Sequence, residues 1–232
     1  NYNLLFTVSL IFASLGFFIN SFVECRYRPP VMDKKKISLD RFVLIKAWSQ
    51  GICVALIALA YGILSTYVAI YSQDVLDITT GTGTFFMLFA IGLILSRVVG
   101  VRSLGKGHIV RNATYGVIVA AIGYIIFASW QNLYGYYLSA IVMGFGQGSF
   151  YPAMQTMFLN MAPHEQRGTA NSTILTSWDL GIGLGIIGGG YVAEHCGGYN
   201  SAFLLSVIVS SLSVLFFLLY AKRAYLRDRI EV

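Results

Sequence analysis

Hydrophobic residues run along this chain in long blocks, apolar at odd and even positions alike, separated by short polar connections. Seven such blocks cover roughly residues 2–23, 42–71, 83–99, 113–130, 134–161, 169–193 and 201–221. A helix that crosses a bilayer needs about 20 mostly apolar residues, whereas a barrel strand needs about ten of alternating polarity. The blocks therefore predict an all-α fold, a polytopic membrane protein with seven transmembrane helices. The 24 glycines suit this reading, because small residues let membrane helices approach closely.

Composition agrees. Of the 232 residues, 56% are hydrophobic and 11% charged, too few charges to wrap a water-soluble domain and too much apolar surface for a disordered chain. Cys25, Cys53 and Cys196 are far apart, which supports neither a disulfide framework nor a zinc site. The histidines His108, His164 and His195 are dispersed, and no nucleophile–base pair stands out, so neither an enzyme nor a metal site is expected.

The net charge of +6 is arranged by side. Arg26, Arg28, Lys34, Lys35, Lys36 and Arg41 fill the first connection, with Lys46 at the start of the second block. Arg97, Arg102, Lys106 and Arg111 surround the third connection, Arg167 lies in the fifth, and Lys222, Arg223, Arg227 and Arg229 form the tail. Together these are all 16 Lys and Arg; the alternate connections carry Asp74, Asp77 and Glu194. The positive-inside rule puts the basic side in the cytoplasm, the start of the chain outside and its end inside. Topology accounts for the basic excess, so the expected partner is the lipid bilayer and not nucleic acid. The chain opens on asparagine and enters its first block at once, with no charged leader or cleavage site, so the expectation is a fragment, or a chain whose beginning is missing.

The expected organisation is a first helix over 1–23, a basic linker over 24–41, a six-helix bundle over 42–221 and a tail over 222–232. Pro29 and Pro30 stop a helix in the linker, and its three successive lysines suit anionic headgroups. A short amphipathic piece around 37–42 would lie on the membrane surface.

Polar side chains inside apolar spans are costly, so their positions point to function. Gln147, Tyr151 and Gln155 follow at steps of four in the fifth span, beside Pro152, and read either as a cavity wall or as bonds between helices. In the second span Tyr61 and Ser65 lie one turn apart, with Gln50 and Val54 further along the same side. Tyr67 and Tyr71, nearer the span's end, read as interfacial anchors. In the sixth span Ser172, Thr176 and Asp179 share a face. Asp179 is the one acid well inside a span, and must be protonated, hydrated or paired, for example with Arg97. A carboxyl group in such a place is suited either to carry a proton or to tie helices together. Gly181, Gly185 and Gly189 then form a smooth seam for close packing.

The stretch PHEQRGTANS (163–172) followed by SWDLGIG (177–183), with GFGQG (144–148) and YPA (151–153) upstream, resembles the tenth-to-eleventh helix region of major facilitator superfamily transporters, closest to bacterial efflux-type permeases for drugs or sugars. The resemblance implies that the chain is the C-terminal half of such a transporter, its six-helix half bundle plus one preceding helix. The seven spans then correspond to helices six to twelve, and the missing N-terminal half is a partner. Tyr61, Ser65, Gln147, Tyr151 and Gln155 would face a small-molecule substrate. Arg97, Gly100, Arg102, Lys106 and Arg167 would form a cytoplasmic gate loop. That loop departs from the family pattern G-x-x-x-D-R-x-G-R-R by lacking the acid. Gly185, Gly189 and Gly190 match the antiporter pattern G-P-x-x-G-G, with Ile186 in place of proline. The expected function is secondary active transport by alternating access, proton-coupled efflux from a bacterial inner membrane, with no cofactor beyond the coupling proton. Asp179, Thr176 and Ser172 are the candidates for coupling or packing. Two other classes share part of this pattern. A seven-helix receptor shares the helix count and orientation but would show D-R-Y after the third span or N-P-x-x-Y in the last. A membrane-embedded transferase would need paired acids for a metal and a phosphate.

Overall fold

The computed structural model describes residues 2–22, 43–74 and 81–230. The linker over 24–41 and the amphipathic piece around 37–42 lie outside the described residues. The chain divides into two compact units, Asn1–Lys36 and Ile37–Val232. The first holds α1, Tyr2–Ser21, whose described side chains are exposed on every face. A helix apolar all round is at home in lipid or against other helices.

The second unit consists of α2 (Trp48–Asp74), α3 (Gly81–Gly105), α4 (Ile109–Ser129), α5 (Leu133–Met161), α6 (Arg167–His195), α7 (Tyr199–Phe216) and α8 (Lys222–Asp228), the last two joined by a π-turn over Phe217–Ala221. The helices alternate in direction, as end-to-end bonds show. At the basic end Ser103 Oγ donates to Asn112 Oδ1, the Leu44 N–H donates to Thr173 Oγ1, and the Ile230 N–H donates to the Asn160 carbonyl. Packing runs in the order α6, α2, α7, α4, α5, α3, so α3 and α6 form the two open flanks.

Local signals set the ends. The Asn132 side chain accepts the Gly135 N–H at 2.8 Å and caps α5. Gly107, at φ 79°, turns α3 into α4, and Gly197 and Gly198, at φ 100° and 85°, stop α6, a backbone region that other residues enter reluctantly. Close packing follows from the glycines. A Cβ at Gly181 or Gly185 would overlap the carbonyl of Ala55 or Leu59, and one at Gly189 would press on Ile63, so the seam of α6 runs in register along α2. On α5, Gly144 and Gly148 make the same approach to α3, and Gly146 to α4.

The core has two layers. At the basic end Leu44, Val54, Met154, Phe158, Phe217 and Tyr225 pack together. At the far end Tyr71, Phe85, Phe127, Tyr136 and Phe203 form an aromatic cluster. Tyr71 is thus a core residue, 2% exposed, and not an interfacial anchor. Its ring lies 5.0 Å from Phe203 and 5.5 Å from Phe127, contacts that only the helix packing reveals.

Several boundaries differ from the sequence expectation. The third span continues to Gly105, so Arg97, Gly100 and Arg102 lie on the last turns of α3 and not in a loop. Cations there are favoured by the negative end of the helix dipole. The segment after 221 is helical to Asp228. Among the described residues, four helices are long and apolar enough to cross a membrane: Ile45–Asp74, Gly81–Gly105, Ile109–Ser129 and Tyr199–Asp228. The α5 and α6 helices have 29 residues each and are long enough, but their polar side chains and glycines dilute their hydropathy. They are also the helices that carry most of the candidate site.

Candidate functional site

Four aromatic rings form a row across the bundle. Tyr151 of α5 meets Trp178 of α6 edge-on at 5.4 Å, Trp178 tilts against Tyr61 of α2 at 5.8 Å, and Tyr61 against Phe89 of α3 at 5.8 Å. Tyr151, Trp178 and Tyr61 are half-buried, so one side of the row remains open. Ser65, one turn beyond Tyr61, is also half-buried and turns its hydroxyl back to the Gly62 carbonyl. The side of α2 below Tyr61 is closed, since Gln50 and Val54 are fully buried.

The glutamines of α5 separate. Gln147 is 5% exposed and its amide donates to the Tyr124 hydroxyl of α4 at 3.0 Å, inside the bundle. Gln155 is half-buried and donates to Asn171 Oδ1 of α6 at 3.1 Å, spanning the space between two helices that otherwise touch little. Thr156 returns its hydroxyl to the Pro152 carbonyl.

Ser172, Thr176 and Asp179 are all exposed on the described unit. Thr176 and Asp179 line a groove of about 430 Å³ with Leu180, Gly183, Leu184 and Ile187. No ion pair joins Asp179 to Arg97 among the described residues; Arg97 sits at the basic end of α3, on the opposite flank. Asp179 instead lies within electrostatic reach of the Tyr151 phenol. A carboxylate, a hydroxyl and an aromatic row therefore meet on the open side of α5 and α6.

At the basic end Arg97 and Gly100 border a narrow cleft of about 30 Å³ with Asn112, Gly148 and Pro152. Lys106 and Arg167 are exposed beyond it, Arg167 as the first residue of α6. Arg102 shares the α3 helix, and its side chain lies outside what is described. Among the described residues no three His, Cys, Asp or Glu gather as metal ligands. His195 stacks on Tyr191 and bonds its carbonyl.

Sequence reasoning left Trp178 and Phe89 out of the site. Trp178 had a signal: it is the one aromatic residue in the polar stretch between Ser172 and the glycine seam, and it adjoins Asp179. Phe89 had none, lying in a uniformly apolar run.

Apolar helices of this length, closed by glycine contacts around a polar and aromatic flank, define an integral, polytopic membrane protein. Residues 111–230 match the Major Facilitator Superfamily, and the chain belongs to that family. It is similar to an uncharacterized MFS-type transporter, YwfA, of Bacillus subtilis (strain 168), with 27% identity over 33% of this chain and 19% of that protein. It is also similar to a low affinity ammonium transporter of Saccharomyces cerevisiae (strain ATCC 204508 / S288c), with 28% identity over 51% of this chain and 24% of that protein. The matched stretches thus span about a quarter or less of these relatives.

Proposed function

We propose that this chain supplies the C-terminal half, and the helix before it, of a secondary active transporter that moves a small solute by alternating access. The row from Tyr151 through Trp178 and Tyr61 to Phe89 would form one wall of the solute path, with Asp179 and Thr176 at its edge. That row, open on one side, is the observation that carries the reading. In alternating access two halves rock about a site near the membrane midplane. The smooth contact of Gly181, Gly185 and Gly189 with α2 would keep this half stiff while it rocks.

The coupling ion in this reading is the proton, carried by Asp179, and the direction is export. Aromatic faces beside a carboxylate suit a small or amphiphilic cation, because ring quadrupoles and negative charge both attract it. The yeast relative's name, which mentions ammonium, is compatible with such a solute. The basic end of the bundle is cytoplasmic here, as the bias of Lys and Arg supports.

The test uses the full-length protein in proteoliposomes. An imposed pH gradient should drive concentrative movement of at least one member of a panel of amphiphilic cations, sugars and ammonium. Trp178→Ala should raise KM for that solute about tenfold, in line with the loss of one aromatic–cation contact of about 1 kcal/mol or more. Facilitated equilibration unaffected by the gradient would remove proton coupling. An unchanged KM would remove the aromatic wall.

A further inference from the structure

We propose that the groove between the start of α4 and the α8 helix binds the headgroup of an anionic phospholipid. The groove, about 510 Å³, is lined by His108, Arg111, Lys222 and Arg229, with Tyr115 and Leu226 beside them and no carboxylate among its lining residues. Asp228, an acid close to the groove among the described residues, is turned to Arg227 by two bonds of 2.8 and 3.0 Å. Arg111 and Lys222 therefore face a groove with no carboxylate among its described lining residues.

The site is built on a fixed platform. The π-turn over Phe217–Ala221 carries α7 into α8 as one helical run, Tyr199–Asp228, and Gln50 Nε2 donates to the Ala221 carbonyl at 3.0 Å. Tyr225 then points into the core, 2% exposed, and receives a bond from Asn160 Nδ2 at 3.1 Å. With Tyr225 inward, Lys222, Leu226 and Arg229 face the groove. Across it Arg111 stands in the first turn of α4, followed by Tyr115, 61% exposed, and Ile122, 44% exposed, which lie seven residues apart on one helix face. A cation at the end of a membrane span, an aromatic ring one turn deeper and an aliphatic residue beyond it match the phosphate, glycerol and acyl regions of one lipid. Free phosphate would use the cations alone. The neighbouring groove of similar size, lined by Trp48, Arg223 and Arg227, already has its Arg227 engaged by Asp228.

The full-length protein, stripped of lipid in detergent, is titrated with phosphatidylglycerol, phosphatidylcholine and inorganic phosphate, and bound lipid is counted by native mass spectrometry. Phosphatidylglycerol should bind in preference to phosphatidylcholine, and millimolar phosphate should not displace it. Arg111→Gln together with Lys222→Gln should weaken phosphatidylglycerol about fivefold per charge removed and leave phosphatidylcholine unchanged. Arg223→Gln should leave both unchanged. Displacement by phosphate would make this an inorganic-anion site, and an equal loss with Arg223→Gln would make it bulk surface charge; either result overturns the proposal, as does an unaffected double variant. Should that variant not fold, a photoreactive phosphatidylglycerol added to the unsubstituted protein decides. Labelling within residues 109–116 or 222–229 supports the site, and labelling confined elsewhere overturns it.

Discussion

The amide of Gln50 reaches across the bundle to the backbone carbonyl of Ala221, 3.0 Å away, and holds the last residue of the π-turn. Both residues are fully buried, and Ser49 donates to the other atom of the same amide at 3.0 Å. A π-turn disturbs the regular i→i−4 pattern, and an apolar side chain in place of Gln50 would remove both of these bonds from a fully buried position.

Gln50→Leu should therefore destabilise the full-length protein by about 1–3 kcal/mol. Thermal unfolding in detergent should show a lower Tm. The α8 groove should loosen with it, so phosphatidylglycerol binding should fall in the same variant. An unchanged Tm would mean that the π-turn needs no support from α2.

Gly185→Ala places a Cβ on the Leu59 carbonyl, which cannot move aside as a flexible side chain could. The α2 and α6 helices must separate, at a cost of about 1–3 kcal/mol. Gly188 has nothing within 4 Å of the same added atom, so Gly188→Ala should stay within about 0.5 kcal/mol. The pair of Tm values tests the register of the seam; equal values would contradict it.

Tyr124→Phe removes the acceptor of the buried Gln147 amide. It should cost about 1–3 kcal/mol, and Gln147→Met should cost a similar amount. The double variant should cost less than the sum, because neither side then leaves an orphaned group. Additive losses would show that the two residues act independently. Neither single change should alter KM, since Gln147 lies inside the bundle.

Asp179→Asn should abolish solute movement driven by a pH gradient, because an amide cannot take up and release a proton, and should weaken binding of a cationic solute, because the negative charge is lost. Persistence of driven transport with its original pH profile would exclude Asp179 as the proton carrier. Thr176→Val, on the same groove, should retain the gradient response.

How much of this was legible beforehand differs from residue to residue. The seam of Gly181, Gly185 and Gly189 could be seen from its spacing alone, because a step of four always returns to one helix face. Its partner residues on α2 could not. Gln147 and Gln155 share that same spacing, yet one is enclosed against Tyr124 and the other bridges to Asn171, since the neighbour each meets belongs to a different helix. Tyr71 carries the composition of an interfacial anchor and sits in the core because Phe127 and Phe203 come to it from α4 and α7. Arg97 and Gly100 fall in a loop by resemblance to the family motif, whereas here the apolar helix simply runs on past them to Gly105.

Hydropathy and charge are properties of short stretches, and so the sequence by itself determined that this chain is a series of apolar helices with its basic residues gathered at alternate connections. Which side of each helix is covered depends on contacts between residues more than a hundred positions apart, such as Gln50 with Ala221 or Tyr61 with Trp178. Only the tertiary structure decided that Trp178 joins the aromatic row, that Asp179 faces outward, and that Lys222 and Arg111 line one groove. Burial is a relation between helices, and no single helix carries it.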